Sequence, residues 1–354
     1  MKERDVEPED MTRRQSLYFL GVVFGGALLA GLASKGNKVE PRISFTPTGV
    51  PAHPTIESTT PLSPARVDES TRKLEGTPSP EKAQNVEIIL TGDVLLGRTV
   101  MTESLELKDP LYPFREVGQV LRDADITFIN LENPIIENCP LKYSGMVFCA
   151  NPEMIEGLNF AGVDVVTLAN NHSMDYREEG LAQTESFLEE NGIEFTLAGR
   201  LVTKKIGGMA FGFLGFNRVG MGENPEAEKV SRQELDLVRK ADPKVDVLIV
   251  AVHWGSEYKE HPSDLQRRWA KEFIEAGTDV VVGHHPHVVQ DIDRIDGKPV
   301  YYSLGNLVFD NMDPKYAETR KGMVARLIYR DGQLIKEELL PTQTVSRAQP
   351  EFVK

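Results

Sequence analysis

Cysteine is nearly absent from this chain of 354 residues, which carries two, Cys139 and Cys149. That excludes a disulfide scaffold and leaves too few thiolates for a structural zinc site. The close spacing of the two permits one short-loop disulfide closing an excursion after Pro134, with a pair of buried thiols as the other reading. Positive charge is also short. Forty Lys and Arg face 54 Asp and Glu, for a net charge of −14. Such a surface does not neutralise phosphates along a duplex, so nucleic acid is not expected as a partner.

Long apolar runs are scarce as well. The stretch from Leu17 to Ala33 is uncharged, rich in Leu, Val, Gly and Ala, and follows the pair Arg13-Arg14. It reads as an export signal with paired arginines or as a single membrane anchor, at the lower edge of bilayer-spanning length. Either reading, over residues 1–34, places the rest of the chain outside the cytoplasm. From 35 to 85, Pro, Ser and Thr dominate and apolar residues are too few to build a core, which predicts a disordered stalk. One large α/β domain is then expected over 86–342, with a loose tail over 343–354.

Within 86–342 the apolar, β-branched runs alternate with helical spacing, and their ends share a chemistry. Val86 to Leu90 predicts a strand closed by Thr91-Gly92-Asp93, and Ile126 to Leu131 one followed by Glu132. Val163 to Ala169 runs into Asn170-Asn171-His172, and Val245 to Val252 into His253-Trp254-Gly255. Val280-Val281-Val282-Gly283 leads to His284-His285-Pro286-His287, three of the chain's seven histidines within four residues. One polar strand end is ordinary, but five carrying ligand chemistry point to a metal site, because open α/β sheets bind at the carboxyl ends of their strands. Leu111 to Arg122, Met154 to Phe160, Glu178 to Glu190, Arg232 to Lys240 and Asp264 to Glu275 are expected as helices. Hairpins are expected at Gly207-Gly208 and Asp331-Gly332.

The ligand set is mixed. Asp93 and Glu132 offer carboxylate oxygens, Asn171 an amide oxygen, and His253, His285 and His287 imidazole nitrogens, a set suited to one or two divalent cations such as Mn, Zn or Fe. The choice between His284 and His285 stays open. His172, diverging from its neighbour Asn171, is placed to protonate a leaving oxygen, or else to orient a ligand from behind.

Thr91-Gly92-Asp93-Val94-Leu95-Leu96-Gly97-Arg98, Asn130-Leu131-Glu132, Ala169-Asn170-Asn171-His172 with Asp175, His253-Trp254-Gly255, Gly283-His284-His285-Pro286-His287 and Tyr302-Ser303-Leu304-Gly305-Asn306 together resemble the bacterial capsule synthesis CapA proteins, associated with poly-γ-glutamate. That family is similar in fold to calcineurin-like metallophosphoesterases. The resemblance implies an α/β fold of two packed β-sheets flanked by helices, a four-layer sandwich. It implies metal ligation by Asp93, Asn171, His253, His285 and His287, with Glu132 in the bridging position and His172 and Asp175 as the catalytic pair. Two residues depart from the phosphoesterase pattern: Leu95 stands where a histidine ligand is usual, and Glu132 is one methylene longer than the usual Asp.

The function so implied is an exported protein acting in synthesis, export or attachment of an anionic polymer of the poly-γ-glutamate type, as a metal-dependent hydrolase. The alternative is a non-catalytic, metal-bearing module that holds the polymer within a membrane synthase complex, with Arg98, Lys142 or Arg218 as anion contacts. Membrane synthase components are the partners either reading expects, with the membrane itself reached through the N-terminal segment.

Overall fold

The computed structural model describes residues 84–220, 229–310 and 314–353. The expected export segment and nearly all of the expected stalk lie outside these residues. Among the described residues no helix is long and apolar enough to cross a membrane.

Two mixed sheets face each other. In the eight-stranded sheet, β1 (Val86–Val94), β2 (Ile126–Leu131), β3 (Val165–Thr167) and β4 (Glu194–Thr196) run parallel. On the other side of β1 lie antiparallel β12 (Lys321–Arg330), β13 (Gln333–Thr344) and β14 (Pro350–Phe352), and short β11 (Asn306–Val308) pairs in parallel with the end of β1. The six-stranded sheet has the order β5 (Val202–Ile206), β6 (Met209–Asn217), β7 (Val247–His253), β8 (Val280–His284), β10 (Lys298–Tyr301), β9 (Ile292–Ile295). Its central strands β6, β7, β8 and β10 are parallel.

Strand periodicity of two produces the layers. On β1, Ile88 and Leu90 point into the space between the sheets, where they meet Phe211, Phe213, Ile249, Val282 and Leu327. Ile89 points the other way, into a core shared with Val100 and Met101 of the helix Arg98–Leu107 and with Leu158. On β7, Val247, Ile249 and Ala251 face inward, while Leu248, Val250 and Val252 pack on Trp269 and Phe273 of the helix Asp264–Glu275. The result is helix, sheet, sheet, helix, the four-layer arrangement expected. Phe128 and Phe213 stack between the sheets with centroids 5.4 Å apart. Each such buried aromatic or aliphatic side chain contributes about 1.5–3 kcal/mol of transfer free energy.

Several expectations change. The stretch 111–122 is not one helix: a single turn at Tyr112–Phe114, with Pro113 in its first positions, is separated by a turn at 115–117 from a short helix at Gly118–Arg122. The expected tail begins inside a strand, since β13 continues to Thr344 and β14 then pairs back onto it, with Ala348 buried between. Polar β9, exposed at the sheet edge, pairs with β10 through a turn at Asp296-Gly297, a hairpin that the exposed Ile292-Asp293-Arg294-Ile295 pattern does not announce. The disulfide Cys139–Cys149 is present, with a Cα–Cα distance of 5.8 Å.

Candidate metal centre

All five strand ends converge on one buried locus. β1 does not stop before Asp93 as expected but runs through it, because β2 and β11 grip that end from both sides, pairing Asp93 with Asn130 and with Asn306. Glycine makes the approach possible: a Cβ on Gly92 would lie 2.2 Å from the Gly305 carbonyl oxygen. Gly283 plays the same part in β8, where a Cβ would stand 2.0 Å from the Tyr302 carbonyl and 2.5 Å from Nε1 of Trp254. The chain then leaves β8 in an unusual shape, with His285 at φ 96° and His287 at φ 58°. Positive φ on two non-glycine residues costs on the order of 1–3 kcal/mol each, strain typical of sites that must aim a side chain.

Three groups of potential ligand atoms lie within coordinating reach of one another: Glu132 with His253 and His285, Asp93 with Glu132 and His287, and Glu257 with His285 and His287. Glu132 belongs to two of them. Asn171 joins the first, its Oδ1 2.8 Å from Nε2 of His253. Asp93 Oδ1 accepts from Asn130 Nδ2 at 2.8 Å, and its Oδ2 accepts from the His285 backbone N–H at 3.2 Å and lies 3.2 Å from Nδ1 of His287. Asn306 Oδ1 is 3.0 Å from that same nitrogen.

His284 separates from its neighbour. It remains in β8, belongs to none of the three groups, and places Nε2 3.1 Å from the Thr91 carbonyl, tying β8 to β1. His172 places Nδ1 2.8 Å from Asp175 Oδ2 and lies on the Phe148 ring at 4.0 Å. The Asp175 oxygen also accepts from the Phe148 backbone N–H. Leu95, Phe148 and Phe309 form a small apolar wall beside these groups, and Phe309 rests 4.8 Å from the His287 ring. Of the three cations considered as anion contacts, Arg98 lies over Phe148 at 4.5 Å, bound to Asp310 and to the Gly145 carbonyl. Lys142 sits on the disulfide loop, 6.0 Å over the Tyr176 ring. Arg218 is not a surface contact: it is buried against Trp269, with Glu234 and the Lys229 carbonyl as partners.

The electrostatics are those of a buried, crowded cluster of titratable groups. Burial, then the charge of Asp93, pushes the Glu132 carboxyl well above the usual range. Burial raises Asp93 too, but the hydrogen bond and charge of His287 outweigh it and hold the acid below its ordinary value. Burial, then the charge of His285, depresses His253 strongly, and burial with the charge of His287 takes His285 down to about 4. Burial also opposes the charged form of His287, yet Glu132 and Asp93 raise it to about 10.

Both carboxylate oxygens of Glu132 and Nδ1 of His285 are buried without a hydrogen-bond partner. Such atoms cost about 1–3 kcal/mol each or more when left unmatched. Oxygen and nitrogen donors converging on that point match the demand of a divalent transition cation, so these residues fit one.

Pattern reading missed Glu257, Asn130 and Asn306. Asn130 and Asn306 lie within quoted motifs and act on the side chains beside them. Glu257 carries only a faint signal, a carboxylate four residues beyond the strand-end histidine His253.

The sequence profile of the family described as bacterial capsule synthesis protein PGA_cap matches residues 87–311. The capsule biosynthesis protein CapA of Bacillus anthracis is 30% identical over 249 residues, 64% of this chain and 60% of that protein. The PGA biosynthesis protein CapA of Bacillus subtilis is 31% identical over 237 residues, 62% of each. The chain therefore spans less than two thirds of the length of these relatives. A solved structure described as a novel phosphatase from Mycoplasma pneumoniae aligns with a TM-score of 0.48 at 12% identity, over 73% of this chain and 94% of that one.

Proposed function

This chain belongs to the bacterial capsule synthesis family PGA_cap, and from that membership we propose that it is an exported, metal-dependent hydrolase acting on an anionic polymer of the poly-γ-glutamate type or on its attachment. The observation that carries the metal reading is Glu132, a fully buried carboxylate with neither oxygen hydrogen-bonded, set among His253, His285 and His287. Asp93, Glu132 and His287 would hold one cation; Glu132, Asn171, His253 and His285 a second. Such ions, when bound, supply Lewis acidity toward a phosphoryl or carbonyl oxygen.

The protein's own groups supply the rest. Asp175 fixes the His172 ring through Nδ1, which leaves Nε2 as the atom that passes a proton to the departing oxygen. Leu95, Phe148 and Phe309 keep water from one side, which strengthens the charge interactions inside. Arg98 stands beside this wall with its charge paired to Asp310, an acid with which an anionic chain would have to share it. The disulfide and the paired arginines before an uncharged run support export.

The second reading, a non-catalytic module that binds polymer for a synthase complex, is favoured by one residue, Leu95, which withdraws a ligand from the first cation. Nitrophenyl phosphoester hydrolysis by EDTA-stripped protein with Mn2+ or Zn2+ restored tests the choice. Turnover above the metal-free control supports the hydrolase. Metal-dependent retention of poly-γ-glutamate without turnover of phosphoester or amide favours the module.

A further inference from the structure

Glu257 stands on the loop after β7, within coordinating reach of both His285 and His287. Two devices hold that loop in place. The Tyr258 N–H donates to the carbonyl of Pro286, the residue between the two histidines, at 2.9 Å. Gln290, itself held by Gln266 at 2.9 Å, donates to the Lys259 carbonyl at 2.8 Å. The turn needs left-handed backbone at Gly255, φ 81°, and at Tyr258, φ 62°. A side chain at Gly255 would meet the Gln266 amide at 2.7 Å. An exposed loop glutamate needs none of this; a carboxylate that must face two imidazoles does.

The position that holds a histidine ligand in the resembled pattern carries Leu95, which packs in the apolar wall with Phe148 and Phe309. The group Asp93, Glu132 and His287 thus has no donor from position 95, just past the end of β1, while Nδ1 of His285 is buried with no hydrogen-bond partner.

We propose that Glu257 is a metal ligand, a third carboxylate that reaches the His285–His287 side of the centre from the β7 loop and replaces the donor that Leu95 removes. This rests on the metal reading given above and adds a residue to it. Exchanging an imidazole for a carboxylate lowers the net charge of a filled centre by one and makes its donor set harder, so the centre would favour Mn2+ over softer ions.

The test is a calorimetric Mn2+ titration of the EDTA-stripped full chain, with electron paramagnetic resonance on the same samples. Glu257→Gln is expected to lose one Mn2+ per chain or to weaken one site at least about tenfold. Any exchange-coupled manganese signal should give way to a mononuclear one. Glu260→Gln, three residues on and exposed, should bind as the wild type does, which separates ligation from a loss of local negative charge. Retention of wild-type stoichiometry and affinity by Glu257→Gln would overturn the inference and leave the metal reading intact. An equal loss in Glu260→Gln would also overturn it. A wild type that takes up no Mn2+ or Zn2+ would sink both together.

Discussion

Oδ1 of Asn171 and Nε2 of His253 lie 2.8 Å apart, although Asn171 follows β3 of one sheet and His253 ends β7 of the other. Asp93 of β1 and His287 beyond β8 repeat the relationship at 3.2 Å, and Thr91 with His284 at 3.1 Å. The candidate centre is therefore the seam of the sandwich at the carboxyl ends of its parallel strands. Packing Ile88, Leu90 and Phe128 against Phe213, Ile249 and Val282 brings the two sets of strand ends, and the donors they carry, to one seam. Site and fold are one assembly, and the apolar core stabilises both.

His284, bonded across the sheets, and His287, three residues on among the candidate donors, should respond differently to substitution. His287→Ala should lose at least one bound cation while the far-ultraviolet spectrum in EDTA stays unchanged, because the core does not depend on the ion. His284→Ala should keep the metal stoichiometry but lower stability by about 2 kcal/mol, through loss of a buried hydrogen bond to Thr91 and the cavity left behind. Metal analysis and urea unfolding of the two variants check this. Unchanged metal content in His287→Ala would count against the central claim.

Metal-free protein should be most stable near neutral pH. His253, His284 and His285 are all held below the ordinary imidazole value, burial being the first cause, with His285 at about 4. In the unfolded chain they take up protons below about 6.5, so acid favours unfolding by about 1.4 kcal/mol per pH unit for each proton the folded state refuses. Glu132, raised by burial, acts in the opposite sense in that window, one group against three. On the alkaline side, His287 contributes stability that is complete below about 6.5 and lost as pH rises through about 10. Urea midpoints in EDTA should fall on both sides of neutrality. A midpoint that climbs steadily from neutral toward pH 5 would contradict the assignment of three buried neutral imidazoles.

Strand ends were legible because their potential ligand groups stand directly after β-branched runs, and the helix Asp264–Glu275 because Ser263 and Gln266 form a capping box ahead of an apolar stripe. The helix Arg98–Leu107 gave no warning: Gly97 caps it without a side-chain hydrogen bond, and no acidic residue marks its first turn. β14 is only three residues long and begins with proline, so it exists by pairing with β13 and not by pattern. Glu257 was hidden for a related reason. Its position depends on hydrogen bonds from Tyr258 to Pro286 and from Gln290 to Lys259, contacts between segments about thirty residues apart that no local period encodes. The parting of His284 from His285 likewise turns on the Thr91 carbonyl, which lies in the other sheet.

The Cys139–Cys149 disulfide closes a loop of separation 10 whose ends support the site. Gly145 in that loop accepts from Arg98, and Phe148 backs His172. Cys139→Ala/Cys149→Ala should lower stability by about 3 kcal/mol in the chain-entropy model. It should also weaken any hydrolysis that depends on His172 more than it weakens metal binding. Denaturant unfolding and metal titration of the double variant check both parts. Equal loss of metal and turnover would mean that the loop supports the whole centre and not the imidazole in particular.

Asn171 and His172 are neighbours whose side chains part company, and their variants should part company too. Asn171 faces His253, whereas His172 turns to Asp175 and the Phe148 ring, with its backbone N–H held by Asn170 Oδ1 at 3.1 Å. Asn171→Ala should reduce metal content and activity together, since it removes an oxygen from the group that would hold the second cation. His172→Ala should keep the metal and cost about 10² to 10⁴ in turnover, the usual worth of a positioned general acid. Its deficit should shrink on esters with a good leaving group, such as nitrophenolate, which departs without a proton. Asp175→Asn should give a smaller loss of the same leaving-group dependence, because it loosens the ring without removing Nε2. Loss of metal from His172→Ala equal to that from Asn171→Ala would make the imidazole a ligand and remove its role as a proton donor.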